Sequence, residues 1–194
     1  ASNIYKKILI KYPNNFDANF NLGTIFAKKN NLEKSVELLE KAASINPNLE
    51  TIFNNLGLIY LNLGNKEKAL ENTIKAIKLN PNSSIAYNHL GLIYLNLGNV
   101  NKAIESYSKS LKLNPNNISV NYNLGNLFKR INDVKNSEKY FNNTLELDSK
   151  HLPAYNNLLE LYDKSNQNEK FKELLEKGKT NFKKNSTIDL FKAK

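Results

Sequence analysis

Few side chains in this chain can move a proton or an electron pair near neutral pH. His89 and His151 lie far apart, and there is no cysteine. Without Cys there is no thiol catalysis, thiolate metal site or disulfide, and its absence fits a reducing compartment, so a cytoplasmic location is expected. No Gly-rich loop follows a strand pattern to cradle a phosphate, and no His/Asp/Glu cluster has metal-ligand spacing; no cofactor or metal is expected. Glu37 and Glu40 could pair as acid and base, but they fall on one helix among lysines, where a solvated face is the ordinary outcome. What the chain has in quantity is amide, with 36 Asn among 194 residues. An Asn side chain offers two N–H donors and a carbonyl acceptor, the complement of a peptide C=O and N–H whatever side chains that peptide carries. That chemistry is recognition. Part of the Asn content goes with the Lys and Ile content, as in AT-rich coding, and the bias has to be discounted wherever an Asn looks meaningful. The Asn-x-Ser/Thr sequences at Asn82, Asn117, Asn142 and Asn185 need no further explanation at this frequency, being glycan acceptors only in a secreted protein.

The elements that position these amides recur every 34 residues. Residues 55–65 return at 89–99 with a single change, and Leu22-Gly23, Leu56-Gly57, Leu90-Gly91 and Leu124-Gly125 keep the same spacing. So do Phe26, Tyr60, Tyr94, Phe128 and Tyr162, and Pro13, Pro47, Pro81 and Pro115. Repeats of this length are supersecondary units that stack into arrays. Counting from three places after each Pro gives units 16–49, 50–83, 84–117, 118–151 and a divergent 152–185. Residues 1–15 then read as the second helix of a truncated preceding unit, and 186–194 as the start of a truncated further one. On a helical wheel, positions 3, 4, 7, 8, 10 and 11 of a unit form one broad apolar arc, as Ile52, Phe53, Leu56, Gly57, Ile59 and Tyr60 show. Positions 2, 5, 6, 9, 12 and 13 form the opposite arc. Gly64 and Gly98 then stop the first helix, and Asn30, Asn132 and Asn166 hold the same site, since Asn is the next most tolerant of the left-handed conformation. A second helix is expected from about Lys66 to Leu79, ended by Asn80-Pro81. Gly57, Gly91 and Gly125 lie inside helices, where Gly costs around 1 kcal/mol relative to Ala, and close approach of a neighbouring helix is the expected compensation.

The second unit reads Phe53-x2-Leu56-Gly57-x2-Tyr60, Ala69 and Pro81, and the third Tyr87-x2-Leu90-Gly91-x2-Tyr94, Ala103-x3-Tyr107 and Pro115. These columns resemble the tetratricopeptide repeat, TPR, whose pattern is W-x2-L-G-x2-Y, A-x3-F, P in 34 residues. The resemblance implies an all-α fold, a TPR solenoid built as a right-handed superhelix of antiparallel helix pairs. Departures are Asn19 and Asn121 at the Trp site, Thr73 at the Phe site, Ser35 and Ser137 at the Ala site and Ser149 at the Pro site. The last unit departs most, with Leu159 for Gly, Phe171 and Gly178 for Ala and Lys183 for Pro, and looser packing is expected there.

Stacking would align the unburied arc of the first helices into a concave groove. Position 6 carries Asn21, Asn55, His89, Asn123 and Asn157. Position 5 adds Asn54, Asn88 and Asn156, and position 13 adds Asn62 and Asn96. Leu58, Leu92 and Asn126 complete the groove set, with Leu61 and Leu95 beside it. Helices ~10 Å apart and a chain advancing about 3.3 Å per residue would let one rung meet every third residue or so of an extended peptide. The other reading is that these amides tie adjacent repeats to each other. In detail the column resembles the asparagine ladder of O-linked GlcNAc transferase TPR arrays, which implies that Asn21, Asn55, Asn123 and Asn157 hold a peptide backbone, with His89 replacing one rung. His89 would lose its acceptor on protonation near pH 6.5. The chaperone-binding clamp of the family needs Lys at positions 2 and 5 and Arg at position 6, and this chain has none of the three there.

The formal charge is +10, yet it collects at the ends, with Lys6, Lys7 and Lys11 near one terminus and nine Lys against four acids in 164–194. Arg130 is the only Arg. Bidentate phosphate or base recognition recruits Arg, so nucleic acid is not the expected partner. No apolar run approaches the roughly 18 residues of a membrane helix, and no membrane partner is expected. The expected function is a protein interaction scaffold holding an extended peptide or partner segment, with no catalytic constellation of its own. The alternative is a substrate-recruiting arm of a larger enzyme, such as a glycosyltransferase, with its catalytic domain outside this chain.

Overall fold

The computed structural model describes residues 2–181, and these form eleven α-helices with no strand among them. In chain order they are α1 (Ser2–Lys11), α2 (Phe16–Lys28), α3 (Leu32–Ile45), α4 (Glu50–Asn62), α5 (Lys66–Leu79), α6 (Ser84–Asn96), α7 (Val100–Leu113), α8 (Ile118–Arg130), α9 (Val134–Leu147), α10 (Leu152–Lys164) and α11 (Asn168–Asn181). Lys183 and the segment 186–194 lie outside the described residues. The chain divides into two compact units, the first ending at Leu113 and the second starting at Asn114. The first holds α1–α7 and the second α8–α11.

Short connections fold each pair into a hairpin, and the left-handed residues make them possible. Asn30, Gly64, Gly98, Asn132 and Asn166 all have φ between 55° and 79°. Only Gly, or an Asn at modest strain, takes that conformation cheaply. The second helix then needs a cap for its first N–H groups. Asn31, Asn65, Asn99 and Asp133 supply it, each accepting from the backbone N–H three residues on. Asn15, Ser83 and Asn117 do the same for first helices. Much of the Asn content therefore has a local task.

Within each hairpin the glycines bring the helices together. A Cβ on Gly91 would lie 2.6 Å from the Tyr107 ring, and one on Gly125 2.6 Å from the Phe141 ring. A larger side chain there overpacks the pair, an effect of about 1 to 3 kcal/mol. Ser35 and Ser137, the departures at the Ala site, donate to the carbonyls of Gly23 and Gly125 at 2.7 and 3.0 Å. Asn19 and Asn121, the departures at the Trp site, also share a role. Each is buried, and each amide donates to the carbonyl of the preceding Pro and of the helix-capping Asn. Bulk has been exchanged for a tether to the turn.

The first unit's core runs through Leu39, Ile52, Phe53, Leu56, Ile59 and Ile93, and the second unit's through Phe141, Tyr155, Leu158, Leu159 and Tyr162. Complete burial of side chains of this size contributes roughly 1.5 to 3 kcal/mol each, which is why single repeats need neighbours. In the last hairpin Leu159 takes the Gly site and is fully buried. Close contact is kept where Gly178 admits the Tyr155 ring. The Tyr155 hydroxyl donates to the Leu174 carbonyl, and burial pushes its pKa up to about 12.

Candidate functional site

The rungs are displayed by the first helix of each hairpin. In the first unit these are α2, α4 and α6, which pack side by side. The Asn21 amide turns back on its own helix and donates to the Asp17 carbonyl at 2.8 Å. Asn55 makes no side-chain hydrogen bond among the described residues. It lines an open cleft of about 500 Å³ between α2 and α4, together with Leu58 and Asn62. Thr24 and Ala27 form the facing wall, Leu32, Leu39 and Ile59 the apolar floor, and Lys28 stands at the edge. The Thr24 hydroxyl is already committed, donating to the Asn21 carbonyl at 2.8 Å.

The third rung behaves differently. His89 Nδ1 lies 2.7 Å from Asn54 Oδ1. An amide carbonyl accepts, so Nδ1 carries the proton and Nε2 is left as the acceptor of the neutral ring. Burial lowers the His89 pKa below its ordinary value. Acceptor loss near pH 6.5, the expectation from sequence, is therefore moved to more acid solution. Asn54 itself is 4% exposed, although the wheel places it on the open arc. Its carbonyl oxygen braces α4 against α6. The Asn88 amide oxygen is buried and unpaired among the described residues, out of reach of a ligand. Asn96 is exposed, with its side-chain amide donating to the Leu92 carbonyl at 2.9 Å and its backbone carbonyl accepting from Lys66. Leu92 is half-buried.

In the second unit the rungs stand on α8 and α10. Asn123 is half-buried and has no side-chain hydrogen bond among the described residues. Asn157 is fully engaged: its Nδ2 donates to Asn126 Oδ1 at 2.9 Å and to the Tyr122 hydroxyl at 3.3 Å, while its Oδ1 accepts from Lys129 Nζ at 2.9 Å. Lys129 continues to Glu160 at 2.6 Å, which also receives Lys164 at 2.7 Å. Lys129 first, and then Lys164, hold the Glu160 carboxyl below the usual carboxylate range. The Asn156 amide oxygen is buried and unpaired among the described residues.

One rule relates these environments. Asn157 meets positions 5, 9 and 12 of the preceding repeat, and His89 meets position 5. For Asn157 these are Tyr122, Asn126 and Lys129, all able to hydrogen-bond. Before His89 the same positions carry Asn54, Leu58 and Leu61, and before Asn55 they carry Phe20, Thr24 and Ala27. Reading position 6 as a column of its own missed this. The sign that could have revealed it was the pairing of Lys129 with Glu160 at facing positions of successive repeats. His151 caps α10, its Nδ1 accepting from the Ala154 N–H at 3.2 Å. Among the described residues no cluster of His, Asp or Glu is placed to hold a metal, and no helix is long and apolar enough to cross a membrane.

Comparison with known proteins follows the same periodicity. Family models described as tetratricopeptide repeat match residues 4–37, 51–83, 84–117, 118–151 and 152–181, and one described as TPR repeat matches 23–64. Among curated proteins no sequence matches the chain. Solved structures with the same fold include YrrB, described as a TPR protein with an unusual peptide-binding site, at 18% identity and a TM-score of 0.71 over 100% of both chains. MamA aligns at 28% identity and a TM-score of 0.69, over 78% of this chain and 89% of its own. A tetratricopeptide repeat protein of Parabacteroides merdae aligns at 25% identity and a TM-score of 0.74, over 97% of this chain and 75% of its own.

Proposed function

Because the chain belongs to the tetratricopeptide repeat family, whose members mediate protein–protein interaction, we propose that its first unit holds an extended, largely uncharged peptide segment of a protein partner in the cleft between α2 and α4. The observation that carries this reading is the uncommitted amide of Asn55 beside Leu58 in an open cleft with an apolar floor. The amide would pair with the peptide backbone, and an apolar side chain of the ligand would enter beside Leu58 and Ile59. Asn62 offers a second amide along the same wall. This keeps the backbone-holding role that the transferase resemblance implies for Asn55, and leaves Asn157 as a brace. Asn123 is a further rung for a ligand of the second unit, since its amide is likewise uncommitted.

The test is selection of binders from a displayed library of short random peptides on the whole chain, followed by titration of the selected peptides. A made amide hydrogen bond nets about 1 kcal/mol and an apolar side-chain contact more, so Asn55→Ala with Leu58→Ser should weaken binding roughly tenfold or more. The affinity should change little with added salt, because neutral groups release no counterions. Peptides that bind the double variant as well as the wild type, or that are released by salt alone, would overturn the reading.

A further inference from the structure

The opposite side of the hairpins carries a recurring device that one repeat leaves incomplete. Tyr60, Tyr94 and Tyr162 share one repeat position, and Lys68, Lys102 and Lys170 share another on the following helix. In each case the Lys ammonium lies over the Tyr ring, at 4.8, 5.3 and 5.6 Å from its centroid. In two of the three a carboxylate from the preceding second helix joins the pair. The Tyr60 hydroxyl donates to Glu40 of α3 and accepts from Lys68 at 3.2 Å, with Lys68 4.0 Å from the same carboxylate. The Tyr162 hydroxyl donates to Glu138 of α9 at 3.1 Å, and Lys170 reaches that oxygen at 2.7 Å. Thus the chain twice shows the pair holding a carboxylate.

The third repeat has the pair and lacks the acid. At the positions of Glu138 and Glu40 the preceding helix α5 carries Leu70 and Ile74. Among the described residues no hydrogen bond or ion pair engages the Tyr94 hydroxyl or the ammonium groups of Lys102, Lys109 and Lys112. These side chains line a crevice of about 510 Å³ between α6 and α7, walled by Tyr87 and Leu90. Lys109 covers the Tyr87 ring at 5.9 Å. The apolar columns agree. Phe53, Leu56 and Tyr60 are 4, 2 and 6% exposed, whereas Tyr87, Leu90 and Tyr94 are only half-buried. Three lysines against Glu105 leave the crevice positive.

We propose that this α6–α7 crevice is a docking site for an acidic segment of a partner protein, whose Asp or Glu side chain takes the place beside Tyr94 and Lys102 that Glu40 takes beside Tyr60 and Lys68. The hydroxyl donates to the incoming carboxylate and the ammonium supplies the charge, while Lys109 and Lys112 meet neighbouring acids. An apolar residue of the segment covers Leu90 and Tyr87. The site is separate from the α2–α4 cleft, so either can fail without the other.

The probe is an acetylated and amidated Glu-Glu-Leu-Glu peptide, titrated into the whole chain and followed by amide chemical shifts, with Gln-Gln-Leu-Gln as control. Shifts are expected around Leu90, Tyr94 and Lys102 with the acidic peptide alone, weakening as salt is raised. Lys102→Gln should reduce affinity roughly tenfold, within the range of close charged pairs at interfaces. Ile74→Glu supplies the missing carboxylate from within the chain and should block the peptide to a similar extent. Shifts confined to the lysine-rich ends, equal binding of the Gln peptide, or binding unchanged in Ile74→Glu would each overturn the proposal.

Discussion

Asn55 in the first unit and Asn157 in the second are the same residue at the same position of the same repeat, and their surroundings give them opposite tasks. Beside Asn55 the preceding helix offers a committed Thr24 and Ala27, so the amide is left facing an open cleft. Around Asn157 it offers Tyr122, Asn126 and Lys129, so both ends of the amide are occupied and a Lys–Glu–Lys chain closes over them. A rung is thus not a property of its own column. For Asn157 and His89 it depends on which side chains the repeat before it supplies as hydrogen-bond partners.

The sharpest way to break this comparison is to remove each amide. Asn157→Ala takes the hydrogen-bond partner from Asn126 Oδ1 and the Tyr122 hydroxyl and leaves Lys129 with Glu160 alone, and should destabilise the second unit by about 1 to 3 kcal/mol. Asn55→Ala removes no side-chain hydrogen bond among the described residues and should stay within about 0.5 kcal/mol of wild type. Urea unfolding of the two variants, followed by a probe in each unit, decides this. Equal losses would mean that Asn55 is braced as well.

A smaller effect is expected from making one region resemble the other. Phe20→Tyr with Thr24→Asn gives Asn55 counterparts of Tyr122 and Asn126, and the new hydrogen bonds should add about 0.5 to 1.5 kcal/mol. They should also withdraw the amide from peptides selected on the wild type. A variant that unfolds at the same urea concentration and binds peptide undiminished would contradict the positional rule.

The smallest effect is in pH. His89 has a lowered pKa in the fold, so between that value and the unfolded value of about 6.5 the unfolded chain binds the extra proton, and stability falls as pH drops through this window. Glu160 is the reverse type of group. Its carboxyl is lowered by Lys129 and Lys164, so its contribution is present above the unfolded value of about 4.3 and is lost as pH falls through the folded value. The first unit should therefore soften in mildly acid solution and the second only in more acid solution. His89→Asn should flatten the first slope, and thermal melts at stepped pH would show whether it does.

The repeat and its helices could be read from the residues alone, because the period rests on interactions within one unit. Every hairpin turns on a left-handed Gly or Asn, four have a cap three residues ahead of the N–H it receives, and two have a Gly that admits a ring from their own second helix. Asn30, Asn65 and Gly91 perform these tasks whatever lies next to the unit, so a 34-residue pattern is enough to place them. Tertiary structure decided which amides remain available. Asn54, on the open arc of the wheel, is buried against His89, and Asn157 is closed by Lys129, while Asn55 has no such partner. These outcomes depend on pairs about 30 residues apart, lying on neighbouring helices whose distance and rotation come from core packing. The same holds for Tyr94 and Lys102: nothing in their own repeat distinguishes them from Tyr60 and Lys68. Their different situation arises from Ile74 standing on the preceding helix where Glu40 stands one repeat earlier.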